Sequence, residues 1–380
     1  MPTEVCRKPE PLIRSMFASM SLARCVAAWL CALTLAVPLA RAQVPRAAPD
    51  GALTLRILNW NNFIAPGLLK VFEQRHGVTV SEDTFGSMEE LTHLISERPG
   101  LYDVIVPTSH FVSQLRARGL LATLDKTRLP HARNVDPMFM SATHDPGSRY
   151  CVAYLWSQLV VAYHPARVLG PIERWSDLFS RVRPGRIALL RESREMLGIA
   201  LLILGHSPNT TDPAEVKAAR DYLAARAAHV HTYAPDTGQD LLESGLVDAV
   251  VEWSGDVAAL RQRRPEIRQV NPAEGSVLSA ASLCVPRASR HRELAERLID
   301  FLLEPASGAA IAMASGFPTP NVAAVPLLPP ASRPALTIPS DLRHRLFLLQ
   351  DVGTATGGLY EAAWQHLLAR AKHAAPRHGP

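Results

Sequence analysis

The sequence predicts a two-lobed α/β protein, each lobe a mixed, mostly parallel sheet flanked by helices and the two lobes joined by hinge strands. From Leu53 onward, short apolar strands alternate with helical patterns, the rhythm of a sheet covered on both faces. A chain of 380 residues, 47% hydrophobic and 20% charged, is long enough for two cores. Two stretches, 149–163 and 277–286, are too apolar for loops and read as crossings between the lobes.

The N-terminal segment stands apart. Arg14 and Arg24 precede the apolar run Val26–Leu39, and Ala40-Arg41-Ala42 follows, the pattern of a secretory signal cleaved after Ala42. The apolar run, roughly 14 residues, is short of the ~20 needed to span a bilayer. Cys31 follows the bulky Trp29-Leu30, an unfavourable setting for lipidation. A start at Met16 or Met20 would give a more usual leader. Of the formal charge of +5, the segment 1–42 holds Arg7, Lys8, Arg14, Arg24 and Arg41 against Glu4 and Glu10, or +3, which leaves +2 for the rest. A near-neutral body without basic clusters argues against nucleic acid as a partner.

Residues 43–52 form a Pro/Ala linker. Leu53–Asn59 reads as a strand, Pro66–His76 as a helix opened by proline and closed by Gly77, and Val78–Phe85 as a strand. Ser87 and Glu90 form a capping box for a helix to about Glu97. Tyr102–Pro107 is a strand and Ser109–Arg118 a helix. In the next lobe, Arg186–Leu190 is a strand, Glu192–Leu204 a helix, and Asp212-Pro213 opens another. Leu246–Glu252 is a strand, after which Ser254 is placed to cap a helix. Glu293–Glu304 and Gly358–Ala371 are the last helices. The expected division is lobe 1 at 53–152 plus 282–316, lobe 2 at 157–278 plus 324–372, and a disordered tail at 373–380.

Cys151 and Cys284 are the cysteines left after the leader. Export permits them to pair, while two separate buried thiols are the commoner outcome. His229 and His231 alternate along a strand, with no third ligand near in sequence to make a metal site. Among enzyme motifs there is no GxSxG, HExxH, phosphate loop or GxGxxG, and no cofactor is expected.

Two strand ends carry a tryptophan, Trp60 after ILN and Trp253 after VVE. Ligands meet α/β domains at such ends, and an indole offers an apolar face and one donor; the alternative is that Trp60 caps the core.

The strings NWNNFIAPGLLKVFEQRHGVTV, YDVIVPTSHF, YLWSQLVVAY, EWSGDVAAL and GFPTPNVAA, in this order and spacing, resemble bacterial periplasmic spermidine/putrescine-binding proteins of ABC transporters over about Leu53–Arg370. The resemblance implies the two-lobed periplasmic binding protein-like fold of type II. It also implies capture of a polyamine in the interlobe cleft, delivery to an inner-membrane permease and its ATPase, and no catalysis. Such a site pairs ammonium groups with carboxylates and lines methylenes with aromatic rings, because a desolvated cation must be paired.

Carried over, Trp60 and Trp253 match wall tryptophans, Glu195 and Asp256 match family carboxylates, Glu192 stands where the spermidine type has an aspartate, and Thr108 stands at a pocket hydroxyl. Asn61 and Asn62 follow Trp60. The departures are Asn62 for an acid, Phe63 for a tyrosine, His110 for an aromatic, Phe317 for a tyrosine, and Ser279-Ala280-Ala281 for aromatic-x-Asp. They leave open a diverged binding protein for another small solute, or a ligand-loaded sensor; a secreted hydrolase is the remaining rival. A monomer is expected.

Overall fold

The computed structural model describes residues 53–140, 144–235, 237–338 and 340–374. The expected signal segment, the linker up to residue 52 and residues 375–380 lie outside them.

The first lobe opens with β1 (Thr54–Asn59), α1 (Leu68–His76), β2 (Thr79–Thr84), α2 (Met88–Glu97), β3 (Val104–Ile105), α3 (Ser109–Ala117) and the short α4 (Pro137–Met140). The chain leaves it along β4 (Cys151–Tyr163), a strand of 13 residues, all buried. The second lobe follows with α5 (Asp177–Arg181), β5 (Ile187–Leu190), α6 (Ser193–Ile203), α7 (Pro213–Ala224), β6 (Val230–Ala234), α8 (Gly238–Glu243), β7 (Ala249–Trp253), α9 (Ser254–Arg263) and β8 (Arg268–Val270). The return runs through β9 (Ser276–Cys284), α10 (Arg292–Leu302), α11 (Pro305–Ser315), α12 (Arg333–Leu336), β10 (Leu346–Leu348) and α13 (Gly353–Ala374).

The strand order β2-β1-β3-β9-β4-β7-β5-β6 puts β9 and β4 at the centre, with β10 on β9 and β8 on β4. β1 is parallel to β2 and β3, and β5 is parallel to β6 and β7. The first half of β4 pairs antiparallel with β9, from Cys151↔Cys284 to Gln158↔Leu278, with an irregularity between Ala153 and Leu155. Its second half turns to the other lobe, pairing Leu159–Tyr163 with β7. One core gathers Leu55, Phe72, Trp156, Leu298 and Phe301, another Trp175, Leu197, Tyr360 and Trp364.

Local chemistry explains most element ends. Ser87 Oγ accepts from the Glu90 amide at 3.2 Å, and the Glu90 carboxylate reaches back to the Gly86 amide at 2.8 Å. Asp212 caps α7 through the Ala214 amide at 2.8 Å. Pro66, by contrast, does not open α1. Gly67 takes a left-handed conformation, φ 78°, and the helix starts at Leu68. Ser254 does not cap α9 either, because its hydroxyl lies 3.1 Å from Ser157 Oγ on β4. His229 closes a 3₁₀ turn and meets the edge of Phe179, so only His231 belongs to the strand. α13 runs from Gly353 to Ala374, into the stretch expected as tail.

The piece 324–372, expected with lobe 2, divides in its packing. Ala324, Leu328 and Leu336 pack on Ala309 and Ala312, and Leu342, Leu346 and Leu348 join the first core; Leu349, Tyr360 and Trp364 join the second.

Cys151 and Cys284 form a disulfide, not two separate thiols. They stand opposite one another where β4 and β9 begin their pairing, and β4–β9 hydrogen bonding brings them there across 133 residues of chain. Closing so long a loop restricts the unfolded chain, which is worth roughly 2–5 kcal/mol. The double variant C151S/C284S is expected to keep the fold and melt roughly 5–10 °C lower. Dithiothreitol should shift the parent by the same amount and the variant not at all; equal melting of parent and variant would contradict this assignment.

Candidate functional site

The register of the sheet locates the cleft. Thr108, Ala281 and Leu155 share one level across the end of lobe 1, through the Thr108↔Ala281 bridge and the Leu155↔Ala281 pair. Trp253 pairs with Leu159 at the end of lobe 2. Four residues of extended chain at about 3.3 Å each therefore leave roughly 13 Å between the two facing sets of strand ends. Trp60 follows β1, and Thr108 and His110 follow β3. Opposite them, Glu192 and Glu195 follow β5, while Trp253 and Asp256 stand at the β7–α9 junction. Ser279 and Ala281 lie buried on β9, the strand between the two sets.

Each side chain is set by its element. The Trp60 amide donates to Asn59 Oδ1 at 2.9 Å, and Tyr154 donates to the same oxygen at 3.0 Å. The indole then stacks 4.4 Å from Phe85 and 6.4 Å from Phe63. Asn61 and Asn62 are exposed, Asn62 with φ 61°, a conformation asparagine tolerates better than most residues. Phe63 meets Phe317 at 4.7 Å. The Phe317 ring in turn presses on the start of α9, where a Cβ on Gly255 would fall 2.7 Å from it. A stack of aromatic rings thus runs from Phe85 to the second lobe.

Polar groups at this site are unusually unsatisfied. Trp60 Nε1, Thr108 Oγ1, His110 Nδ1, Glu195 Oε2 and Ser279 Oγ are buried and have no hydrogen-bond partner among the described residues. Buried polar atoms are normally paired, so their gathering at facing strand ends marks a place built for a ligand. Burial pushes the Glu195 carboxyl up to about 7, its own amide and Arg194 pulling the other way. Burial presses His110 down to about 3, helped by Arg194 and His144, with Asp351 opposing. Glu192 is exposed at the start of α6, and Trp253 and Asp256 are half-buried.

Arg194, Ser157, Ser254 and Phe63 were not among the candidate ligand contacts. Arg194 donates to the Gln350 carbonyl and Asn209 Oδ1, both at 3.1 Å, and lies 4.5 Å above the Tyr360 ring. The signal for Phe63 was available, three residues past Trp60 on the same turn; the Ser157–Ser254 contact depends on β4 register, which sequence does not carry. Among the described residues, no cluster of three His, Cys, Asp or Glu side chains is placed to hold a metal ion.

Two lobes that share hinge strands around a polar cleft define a protein built to close on a small solute. The chain belongs to the bacterial extracellular solute-binding protein family, whose model matches residues 67–337. It is similar to the spermidine/putrescine-binding periplasmic protein of Salmonella typhimurium, 32% identical over 83% of this chain and 92% of the relative. It is 29% identical to a putrescine/agmatine-binding protein of Pseudomonas aeruginosa over 89% and 98% of the two chains. The spermidine/putrescine ABC transporter substrate-binding protein PotD of Streptococcus pneumoniae superposes with a TM-score of 0.77, at 26% identity over 84% and 100%.

The Gly255–Phe317 contact yields a test. Gly255→Ala forces the ring off α9 while Phe63 backs it, and should cost roughly 1–3 kcal/mol in urea unfolding. Adding Phe317→Leu should recover most of that loss; strictly additive losses would show that the two sites do not communicate.

Proposed function

We propose that this protein is the periplasmic substrate-binding component of an ABC transporter, capturing a small aliphatic amine of the polyamine class and passing it to an inner-membrane permease and its ATPase. The reading includes no catalytic step, a monomer as the working unit, and export by a leader cleaved after Ala42. The polyamine names of the relatives support it. The observation that carries it is Glu195, a buried carboxylate after β5 with an oxygen that has no hydrogen-bond partner among the described residues.

Glu195 explains how a cation is recognised. A carboxylate whose burial outweighs the pull of Arg194 holds its proton to higher pH, and a bound ammonium makes ionisation favourable again. Trp60 and Trp253 supply flat apolar faces for methylenes and attract the cationic end. Asp256, in the first turn of α9, adds a second anion where the helix start favours one.

The sign of the pH dependence follows. Between the ordinary value of 4.5 and about 7, the folded free protein keeps a proton that the unfolded chain has lost, so Glu195 lowers stability as pH rises through that window. Ligand binding expels that proton. Affinity for an amine should therefore fall as pH drops from 8 to 6, approaching roughly tenfold per unit below the free-state pKa. Calorimetry with putrescine, cadaverine, agmatine and spermidine should give heat with at least one, reduced at least tenfold by Glu195→Gln, which should also flatten the pH dependence. Asp256→Asn should weaken binding as well. Silence from all four amines and from their monocationic derivatives alike would overturn this reading and leave the fold untouched.

A further inference from the structure

The charges of the cleft are divided between the lobes. The first lobe meets it with residues 59–66, 107–111 and 316–321, and β9 contributes 278–282; none of these stretches contains an aspartate or glutamate. The opposite edge carries Glu192, Glu195 and Asp256. On lobe 1, the Glu82 carboxylate accepts from Asn59 Nδ2 at 2.9 Å; past the end of β2, Glu90 accepts from the Gly86 amide at 2.8 Å and Glu89 is exposed on α2. On the segment leading into α13, Asp351 accepts from the Gly353 amide at 2.8 Å.

What the first lobe and β9 present instead is neutral hydrogen-bonding capacity. Trp60 Nε1 is a donor, Thr108 Oγ1 and Ser279 Oγ can each donate or accept, and all are buried without a partner among the described residues. His110 stands in the same wall as a neutral ring, with the charge of Arg194 bearing on it. An ammonium brought against this wall would be desolvated without a counter-charge, at a cost of several kcal/mol. An uncharged oxygen or amide there would satisfy groups that now go without.

Resting on the polyamine-class reading above, we infer that the ligand is a monocation, with one ammonium on the Glu195 and Asp256 side and an uncharged hydrogen-bonding group, an amide or hydroxyl, on the Trp60, Thr108 and Ser279 side. A monoacetylated diamine or an amino alcohol has this form; a free diamine does not.

The test is calorimetry on the mature protein at pH 8 with putrescine, N-acetylputrescine and 4-amino-1-butanol. The inference expects one of the two monocations to bind at least tenfold more tightly than putrescine. It also expects Asn62→Asp, a near-isosteric change at the exposed lobe 1 rim, to narrow that preference by restoring an acid there. Putrescine binding as tightly as or more tightly than both monocations overturns the inference and leaves the polyamine-class reading standing. Binding of none of the three, with the other free polyamines equally silent, overturns both.

Discussion

Antiparallel pairing of β4 with β9 is the constraint on which the rest of the structure depends. Every residue of both strands is buried, and the sequence meets this mostly with apolar or small residues, the buried Gln158 amide donating to Asn271 Oδ1 at 2.7 Å. Their far ends are tied differently. At one end the disulfide joins the strands; at the other, Ser276 Oγ donates to the Leu159 carbonyl at 2.6 Å. Between these ties lie Ser279 and Ala281. Motion of one lobe against the other must be absorbed there, by small changes in twist, because separating the strands would expose a full ladder of amides and carbonyls.

The same strands explain why the cleft can hold unpaired polar groups at all. An isolated loop carrying Thr108 and His110 would relax until its polar atoms found water or one another. Here Thr108 is held by its bridge to Ala281, and the Ala280 amide donates to Ser109 at 3.4 Å. The backbone is satisfied while the side chains are not. A rigid scaffold with unsatisfied side chains is pre-organised: it carries a cost before binding that a matching ligand removes.

How much of this could be read from sequence depends on the range of the interaction. The alternation of elements, Trp60 and Trp253 at strand ends, and Glu195 in the first turn of its helix are local features, and the structure has each of these elements. The disulfide was left open because it needs the register of two strands 133 residues apart. Ser254 was assigned to a cap on local grounds, and a tertiary partner, Ser157, took its hydroxyl instead. Pro66 is a good first residue for a helix, but the turn through Asn62 and the left-handed Gly67 delays the helix by two residues. The packing of 324–336 on α11 and of 342–348 on the first core has no local signature, since proline-rich surface connections look alike whichever lobe they cover.

Glu195 and Asp256 show why position in an element does not fix a charge. Both lie in the first turn of a helix that follows a strand, and both helix starts favour an anion. They differ in burial: Glu195 is 3% exposed and Asp256 is half-open to solvent. For Glu195 desolvation outweighs the helix start and Arg194 together, so its proton is held to higher pH than in water. Burial thus raises the pKa of the deeper acid. A helix start alone would lower the pKa of Glu195; it is the depth of its burial on the α6 side that reverses the sign.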